Sequence, residues 1–439
     1  MNDENRLYWI WLSEKCGIAS REFRRLAEHY EDPFELYSMS DSEIEGLEGI
    51  GAALKARLCD KTLESAYAIL RYCRSHRVTI LPYGDAQYPA RLRTIEDPPV
   101  LLYVLGDLPD LNDRLCIGMV GTRKMSEYGR QSAYTISYEL AAANAVVVSG
   151  MALGVDGVSA CGALAAGGTT VAVLGCGISV VYPKEHEKLM KAIARHGAVI
   201  TEYPPDERPF GGNFPKRNRI ISGLCQGVLV VEGAAGSGAL ITAQKAISQG
   251  RELFALPGKI NESNSDGPNE LIRHGANVAL CAEDILRHYD FLYHDRISYK
   301  GLQRAKRERP EEERVLRQYG VAAVYAGGRK KRKVADFMEN SGAYAEQAPP
   351  KEPFPQQMQV PPSAEPKPKK VTHTASAEAL NALDETTRKI FAALPLDRAV
   401  SPDAPELSEI GIGEVITALT LLELSGLVES LPGGLYIRK

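Results

Sequence analysis

The chain has no CxxC pair and no cysteine–histidine cluster at metal spacing. Its eight cysteines, Cys16, Cys59, Cys73, Cys116, Cys161, Cys176, Cys225 and Cys281, are scattered. Scattered thiols fit buried, reduced residues of an intracellular protein better than a disulfide scaffold or a zinc site. No apolar run approaches the length of a membrane span. The opening residues Met1-Asn-Asp-Glu-Asn5 are acidic where a secretory signal is basic. A soluble, cytoplasmic chain is expected. An excess of basic charge is missing as well, since 52 Lys and Arg against 56 Asp and Glu leave a net charge of −4. That excludes a histone-like coat, so any contact with nucleic acid has to come from a local patch.

The motifs of common chemistries are also absent. No GxxxxGK[ST] run occurs, and Gly175-Cys-Gly-Ile-Ser-Val180 supplies only half of a GxGxxG fingerprint. Neither a GxSxG elbow nor an HExxH helix is present. Asp156, Glu202 and Glu232 fall near strand ends, where carboxylates do acid–base work; fixing loops and capping helices is their commoner use. His186 and His196 lie in a charged helical segment where exposed histidines are ordinary. No catalytic residue, metal ligand or cofactor is assigned, and the chain is expected not to be an enzyme.

A length of 439 residues allows two or three domains. Residues 1–75 read as helical, with apolar spacing at Leu7, Ile10, Trp11, Phe23 and Leu26. Within them Leu47-Glu-Gly-Ile-Gly51 has the look of a helix-hairpin-helix turn, or of a SAM-like helical domain, for which a packing or protein-contact role is favoured. Over 76–295 short Val/Ile/Leu runs alternate with helical segments: 115–120, 145–148, 170–174, 198–200, 227–231 and 252–255, with 277–280 as an edge. This predicts an α/β fold, a Rossmann-like, doubly wound parallel sheet covered on both faces. Small or polar residues follow successive runs, forming a crevice at one sheet edge. Residues 296–378, charged and then Pro-rich, read as a disordered linker. Residues 379–439 predict helices over 383–394 and 414–425, then a hairpin around Pro432-Gly-Gly434, the outline of a winged helix. Glu414 and Glu423 on its second helix favour protein contact over DNA.

What is present is concentrated in Asn213-Phe-Pro-Lys-Arg-Asn-Arg-Ile-Ile-Ser-Gly223. Lys216, Arg217 and Arg219 around Asn218 would neutralise phosphates, with Phe214 beside them to stack an unpaired base. Gly121-Thr122-Arg123 would cradle a phosphate oxygen with backbone amides and a guanidinium. Ser149-Gly150 and Ser237-Gly238 permit close approach of the same group, and Ser126 is a candidate phosphate contact whose alternative role is a helix cap.

Several of these runs appear together in one family. Val120-Gly-Thr-Arg-Lys-Met-Ser-Glu-Tyr-Gly129, Ser149-Gly-Met-Ala-Leu-Gly-Val-Asp156, Val173-Leu-Gly-Cys-Gly177 with Val181-Tyr-Pro183, the 213–223 run, Ser237-Gly-Ala-Leu-Ile-Thr-Ala243, Leu256-Pro-Gly258 and Gly267-Pro-Asn-Glu-Leu-Ile272 resemble the DNA-processing protein A family (DprA, also called Smf). The resemblance runs in register over about 80–290, and the tail resembles that family's winged helix. It implies an extended Rossmann-like domain that binds single-stranded DNA, dimerises, and helps load RecA during natural transformation. By motif, Arg123 and the 216–219 segment would hold phosphates and Phe214 would lie near bases. Two departures stand out: Thr122 where the family usually has Ser, and Ala160, followed by Cys161, where it often has His. A rival resemblance, to "lonely guy" nucleotide phosphoribohydrolases, lacks their catalytic Glu, since Leu240 and Ile241 stand in its place. A scaffold that does not bind DNA is the third reading.

Overall fold

The structure, a computed structural model, describes residues 3–321, 385–395, 400, 415, 418–419, 422, 427–431 and 435–438. They fall in two compact units, Met1–Phe354 and Pro355–Lys439.

The first unit is built on nine strands: β1 (Val78–Pro82), β2 (Leu101–Gly106), β3 (Cys116–Val120), β4 (Val146–Ser149), β5 (Thr170–Val173), β6 (Ala198–Thr201), β7 (Gly227–Val230), β8 (Glu252–Ala255) and β9 (Asn277–Val278). Their order across the sheet is β1-β2-β6-β5-β4-β3-β7-β8-β9. From β3 to β9 all pairings are parallel, with Ile117 opposite both Val147 and Gly227. These seven strands are the runs expected from the sequence. β1 and β2 are an addition: β2 pairs antiparallel with both β1 and β6.

Six helices precede the sheet: α1 (Asp3–Cys16), α2 (Arg21–His29), α3 (Pro33–Ser38), α4 (Asp41–Glu45), α5 (Ala52–Cys59) and α6 (Glu64–Ser75). A short α7 (Ala90–Arg93) joins β1 to β2. The crossovers are α8 (Glu127–Ala142), α9 (Val155–Ala165), α10 (Glu187–His196), α11 (Asn213–Leu224) and α12 (Gly238–Ser248). After them come α13 (Asp266–Arg273), α14 (Ala282–His288), α15 (Asp290–Tyr293), α16 (Tyr299–Glu308) and α17 (Glu312–Tyr319).

Because side chains alternate along a strand, a sheet covered on both faces needs two cores. Ile117, Met119 and Val147 pack with α8 and α9 through Tyr134, Leu140 and Val158. Cys116, Val146 and Val148 pack with α11 and α12 through Ile220, Leu224 and Ala243. The N-terminal helices join the first of these cores, with Trp11, Phe23 and Leu54 in one cluster with Val78 and Tyr103. The turn before α5 packs onto α2. Gly51 N–H donates to the Glu22 carboxylate at 2.6 Å, and Arg25 donates to the Gly49 carbonyl. The amide that a DNA phosphate would use there is already taken by an internal anion.

The expected disorder from residue 296 onward is corrected for its first part. α16 and α17 bury Leu302, Val315 and Leu316 in the core shared with α8 and α9. Ion pairs from Lys306 to Glu283 (2.8 Å) and Arg130 to Glu312 (3.0 Å) flank them. Charge-dense composition hid a narrow apolar stripe, which is sufficient when a neighbouring helix completes the burial. The rest of the expected linker, with its basic cluster at 329–333 and its prolines, lies outside the described residues.

In the second unit a helix spans Glu385–Ala393, and β10 (Val428–Leu431) pairs antiparallel with β11 (Leu435–Arg438). Val415, Leu419 and Leu422, the apolar face expected over 414–425, are buried together with Ile390 and Phe391. Glu414, Glu423 and Gly426 lie outside the described residues. Among the described residues no helix is long and apolar enough to cross a membrane.

Candidate nucleic-acid interface

The basic run is a helix, and that changes which of its charges face out. Pro215 falls in the first turn of α11, where a missing N–H costs nothing. From there Arg217, Ile220, Ile221 and Leu224 fall at i, i+3, i+4 and i+7, the spacing of a buried stripe, and all four are buried. Lys216 is exposed, and Phe214 and Asn218 are half-buried.

The two arginines therefore do internal work. Arg217 donates from Nη1 to the carbonyls of Gly150 (2.8 Å) and Val173, capping the ends of β4 and β5. Burial lowers its pKa, against the pull of nearby Asp156. Burial likewise pushes the Asp156 carboxyl up, opposed by Arg217 and by the Ala152 and Gly150 amides. Arg219 lies with Nη2 2.8 Å from both Glu202 oxygens and Nε 3.2 Å from Asp97. Burial works against the Arg219 charge, but Glu202 and Asp97 outweigh it and its pKa rises. Arg217 and Arg219 are thus corrected from phosphate ligands to buried structural cations.

Sheet order reverses at β3, which has β4 on one side and β7 on the other. Nucleotide-binding sheets hold a phosphate at such a switch point, against the N-terminus of the following helix. Here that helix is α8, and Glu232 fills the place. Its carboxylate accepts from the Ser126 amide (2.9 Å), the Ser126 hydroxyl and Asn264 Nδ2 (3.4 Å). Ser126 Oγ also accepts from Gly129 N–H at 3.1 Å, so Ser126 caps the helix. A Cβ at Gly129 would lie 2.3 Å from Glu232 Cδ, so glycine is what admits the carboxylate. With Glu202 bound to Arg219 and Asp156 accepting from the Gly150 amide (3.1 Å), all three candidate acids are engaged internally.

Several other expected ligands are also engaged internally. Ser149 is buried and donates to the Met119 carbonyl (3.0 Å). Gly121 lets α9 approach, since an added Cβ would lie 2.5 Å from Val155. Thr122 donates its amide to the Glu232 carbonyl (2.8 Å) and accepts from Lys124 N–H with its hydroxyl. Asn218 Nδ2 donates to the Gly238 carbonyl (3.4 Å), tying α11 to the start of α12. Ser237 stands at the N-terminus of α12 without a side-chain cap bond, and Gly238 is exposed. His186, expected to be exposed, is fully buried with Nδ1 3.0 Å from the Met151 carbonyl.

What remains at the edge is a platform. Phe214 rests over Gly175, whose added Cβ would lie 2.8 Å from the ring. Tyr182 stands beside it at 5.4 Å between ring centroids. The Arg123 guanidinium is 5.4 Å from the Phe214 ring, and Arg217 approaches to 5.9 Å. Arg123, Lys124 and Lys216 are all exposed. In the sequence Tyr182 stands within Val181-Tyr-Pro183, and no local signal marks it as the neighbour of Phe214. The arrangement offers a half-open aromatic face with cations around it, as base stacking and phosphate neutralisation require.

Comparison with known proteins gives the same direction. The model of the family described as DNA recombination-mediator protein A matches residues 79–290. DNA processing protein DprA of Bacillus subtilis is 39% identical over 236 residues, 53% of this chain and 80% of that protein. Protein Smf of a Synechocystis species is 28% identical over 443 residues, all of both chains. The crystal structure of DprA from Streptococcus pneumoniae superposes with a TM-score of 0.56 at 34% identity, covering 64% of this chain and 97% of that one. A relative this similar, over this much of its own length, fixes the assignment: the chain belongs to the DNA recombination-mediator protein A family.

Proposed function

We propose that this chain binds single-stranded DNA in the cytoplasm, protects incoming strands and helps load a RecA-type recombinase, acting as a homodimer and catalysing no reaction itself. The observation that carries this reading is the Phe214 ring, half-open beside Tyr182 and overlooked by Arg123. An aromatic face selects unpaired bases because a duplex keeps its bases stacked internally. The engaged carboxylates argue against hydrolysis. At the place where a phosphoribohydrolase needs its Glu, Leu240 is buried and Ile241 half-buried. In the second unit, the helix and hairpin suit a winged helix used for protein contact.

The test is fluorescence-anisotropy binding of oligo-dT and of its duplex across a salt series, for wild type and Phe214→Ala. Preference for the single strand should fall roughly fivefold to a hundredfold in the variant, the range for one lost stacking contact. Equal affinity of the wild type for both DNA forms would refute the reading. RecA nucleation on the same strand, with and without the protein, tests the loading step.

A further inference from the structure

Tyr128 has no part in the site described so far, yet its ring is 44% exposed at the same sheet edge. Its hydroxyl donates to the Pro257 carbonyl at 2.8 Å, which ties the ring to the loop after β8. With the hydroxyl used internally, what the side chain offers outward is an immobilised aromatic face. Phe214 is placed over Gly175, just beyond β5. In the order β5-β4-β3-β7-β8 the two anchor points are four strand spacings apart. At about 4.8 Å per spacing that is roughly 19 Å.

The ground between them is basic. Arg123 and Lys124 lie in the loop after β3, both exposed, with Arg123 already against Phe214. The nearby carboxylates are engaged: Glu127 with Arg130 (3.1 Å) and Gln131 (2.8 Å), and Glu232 with Ser126. Beyond Pro257, Lys259 pairs with Glu262 at 3.1 Å, and Ile260 is 87% exposed.

We infer that Tyr128 is a second base-stacking station, and that a single strand crosses the sheet edge from Phe214 over Arg123 and Lys124 to Tyr128. The inference rests on the reading of Phe214 as a single-strand platform and adds direction and length to it. A strand that touches both rings needs about four nucleotides or more, the low end for stacking platforms. Shorter strands reach only one ring.

The full-length protein is titrated with labelled oligo-dT of about three to twelve nucleotides, a range that brackets that footprint. Wild type should gain affinity steeply once both rings are reached. Tyr128→Ala should bind the shortest oligomers as wild type does and lose the gain, roughly fivefold to a hundredfold. Tyr128→Phe, which keeps the ring, should recover it. Photo-crosslinking of wild type to oligomers carrying one 5-iodouracil should label Tyr128 and Phe214 from different positions along the strand, a readout independent of how any variant folds. An unchanged length dependence in Tyr128→Ala, or no crosslink to Tyr128, overturns the inference while leaving Phe214 in place. If Phe214→Ala binds like wild type at every length, the single-strand reading has failed and this inference fails with it.

Discussion

Arg219 is the residue on which the sequence motif and the structure disagree most sharply, so its substitution is the most informative. The side chain is 1% exposed, with Nη2 2.8 Å from both oxygens of a Glu202 that is 2% exposed. At that distance the attraction is about 6 kcal/mol for an effective dielectric constant near 20. Dehydration of both ions offsets most of it. Removing one partner alone is different, because it leaves the other charge buried and unpaired, a cost of about 3–5 kcal/mol. Glu202 is already pushed up by burial and held down chiefly by Arg219, so it would carry that cost. Arg219→Ala should therefore melt about 10 °C below wild type. Well below that transition its affinity for oligo-dT, and the slope of affinity against salt, should match wild type. Melting followed by circular dichroism, with anisotropy at two or more salt concentrations, measures both. A variant that melts like wild type but loses salt slope would show Arg219 to be a phosphate ligand and refute the reasoning.

The exposed cations should behave in the opposite way. Lys216→Ala and Arg123→Ala should each lower the log–log salt slope by about 0.7, the increment for one phosphate of a single strand, with melting unchanged; an unaltered slope refutes the assignment for that residue. Two glycines separate platform from support. In Gly175→Ala the new Cβ would lie 2.8 Å from the Phe214 ring, which can swing outward, so affinity should fall with little loss of stability. In Gly150→Ala the Cβ would meet the Arg217 guanidinium at 2.6 Å, pinned by two carbonyls, so stability should drop by about 1–3 kcal/mol, read from urea midpoints. Burial lowers the pKa of His186, so below about pH 6.5 the unfolded chain takes up a proton that the folded one resists. The stability tied to His186 is complete above that pH and falls as pH drops through it, by at most about 1.4 kcal/mol per pH unit. His186→Gln should flatten this dependence in urea melts; equal slopes in both proteins would contradict it.

The parallel sheet was legible because its strands are continuous Val/Ile/Leu runs between helices, a pattern that burial on both faces imposes. β1 and β2 were missed. The run 101–106 looks like any other buried strand, and nothing local says that it pairs antiparallel with β6. The helices α16 and α17 were missed for the opposite reason, since few apolar residues sit among many charges. At the candidate site, the outward placement of Lys216 and Arg123 around Phe214 was legible from residue type. The inward turn of Arg217 is also in the sequence, in its helical spacing with Ile220, Ile221 and Leu224, but residue type alone points to a phosphate ligand. Arg219 could not be placed that way. Its partners Asp97 and Glu202 come from distant segments, and only the fold brings them together.

On the proposed reading, the position of Glu232 accounts for a sheet of this architecture presenting its cations to a strand and not to a free nucleotide. A mononucleotide site needs an empty anion position at the N-terminus of the helix after the first parallel strand. This chain fills that position with its own carboxylate, held by the Ser126 amide and hydroxyl and admitted by Gly129. The neighbouring strand ends are closed in turn by Arg217, which consumes the carbonyls of Gly150 and Val173. With both internal pockets satisfied, the groups left facing solvent include the flat side of Phe214 and the exposed ends of Arg123, Lys124 and Lys216. Such groups bind at the surface of the edge, where a ligand needs length to touch several of them at once. A polyanion with unstacked bases has that length, and a single nucleotide does not.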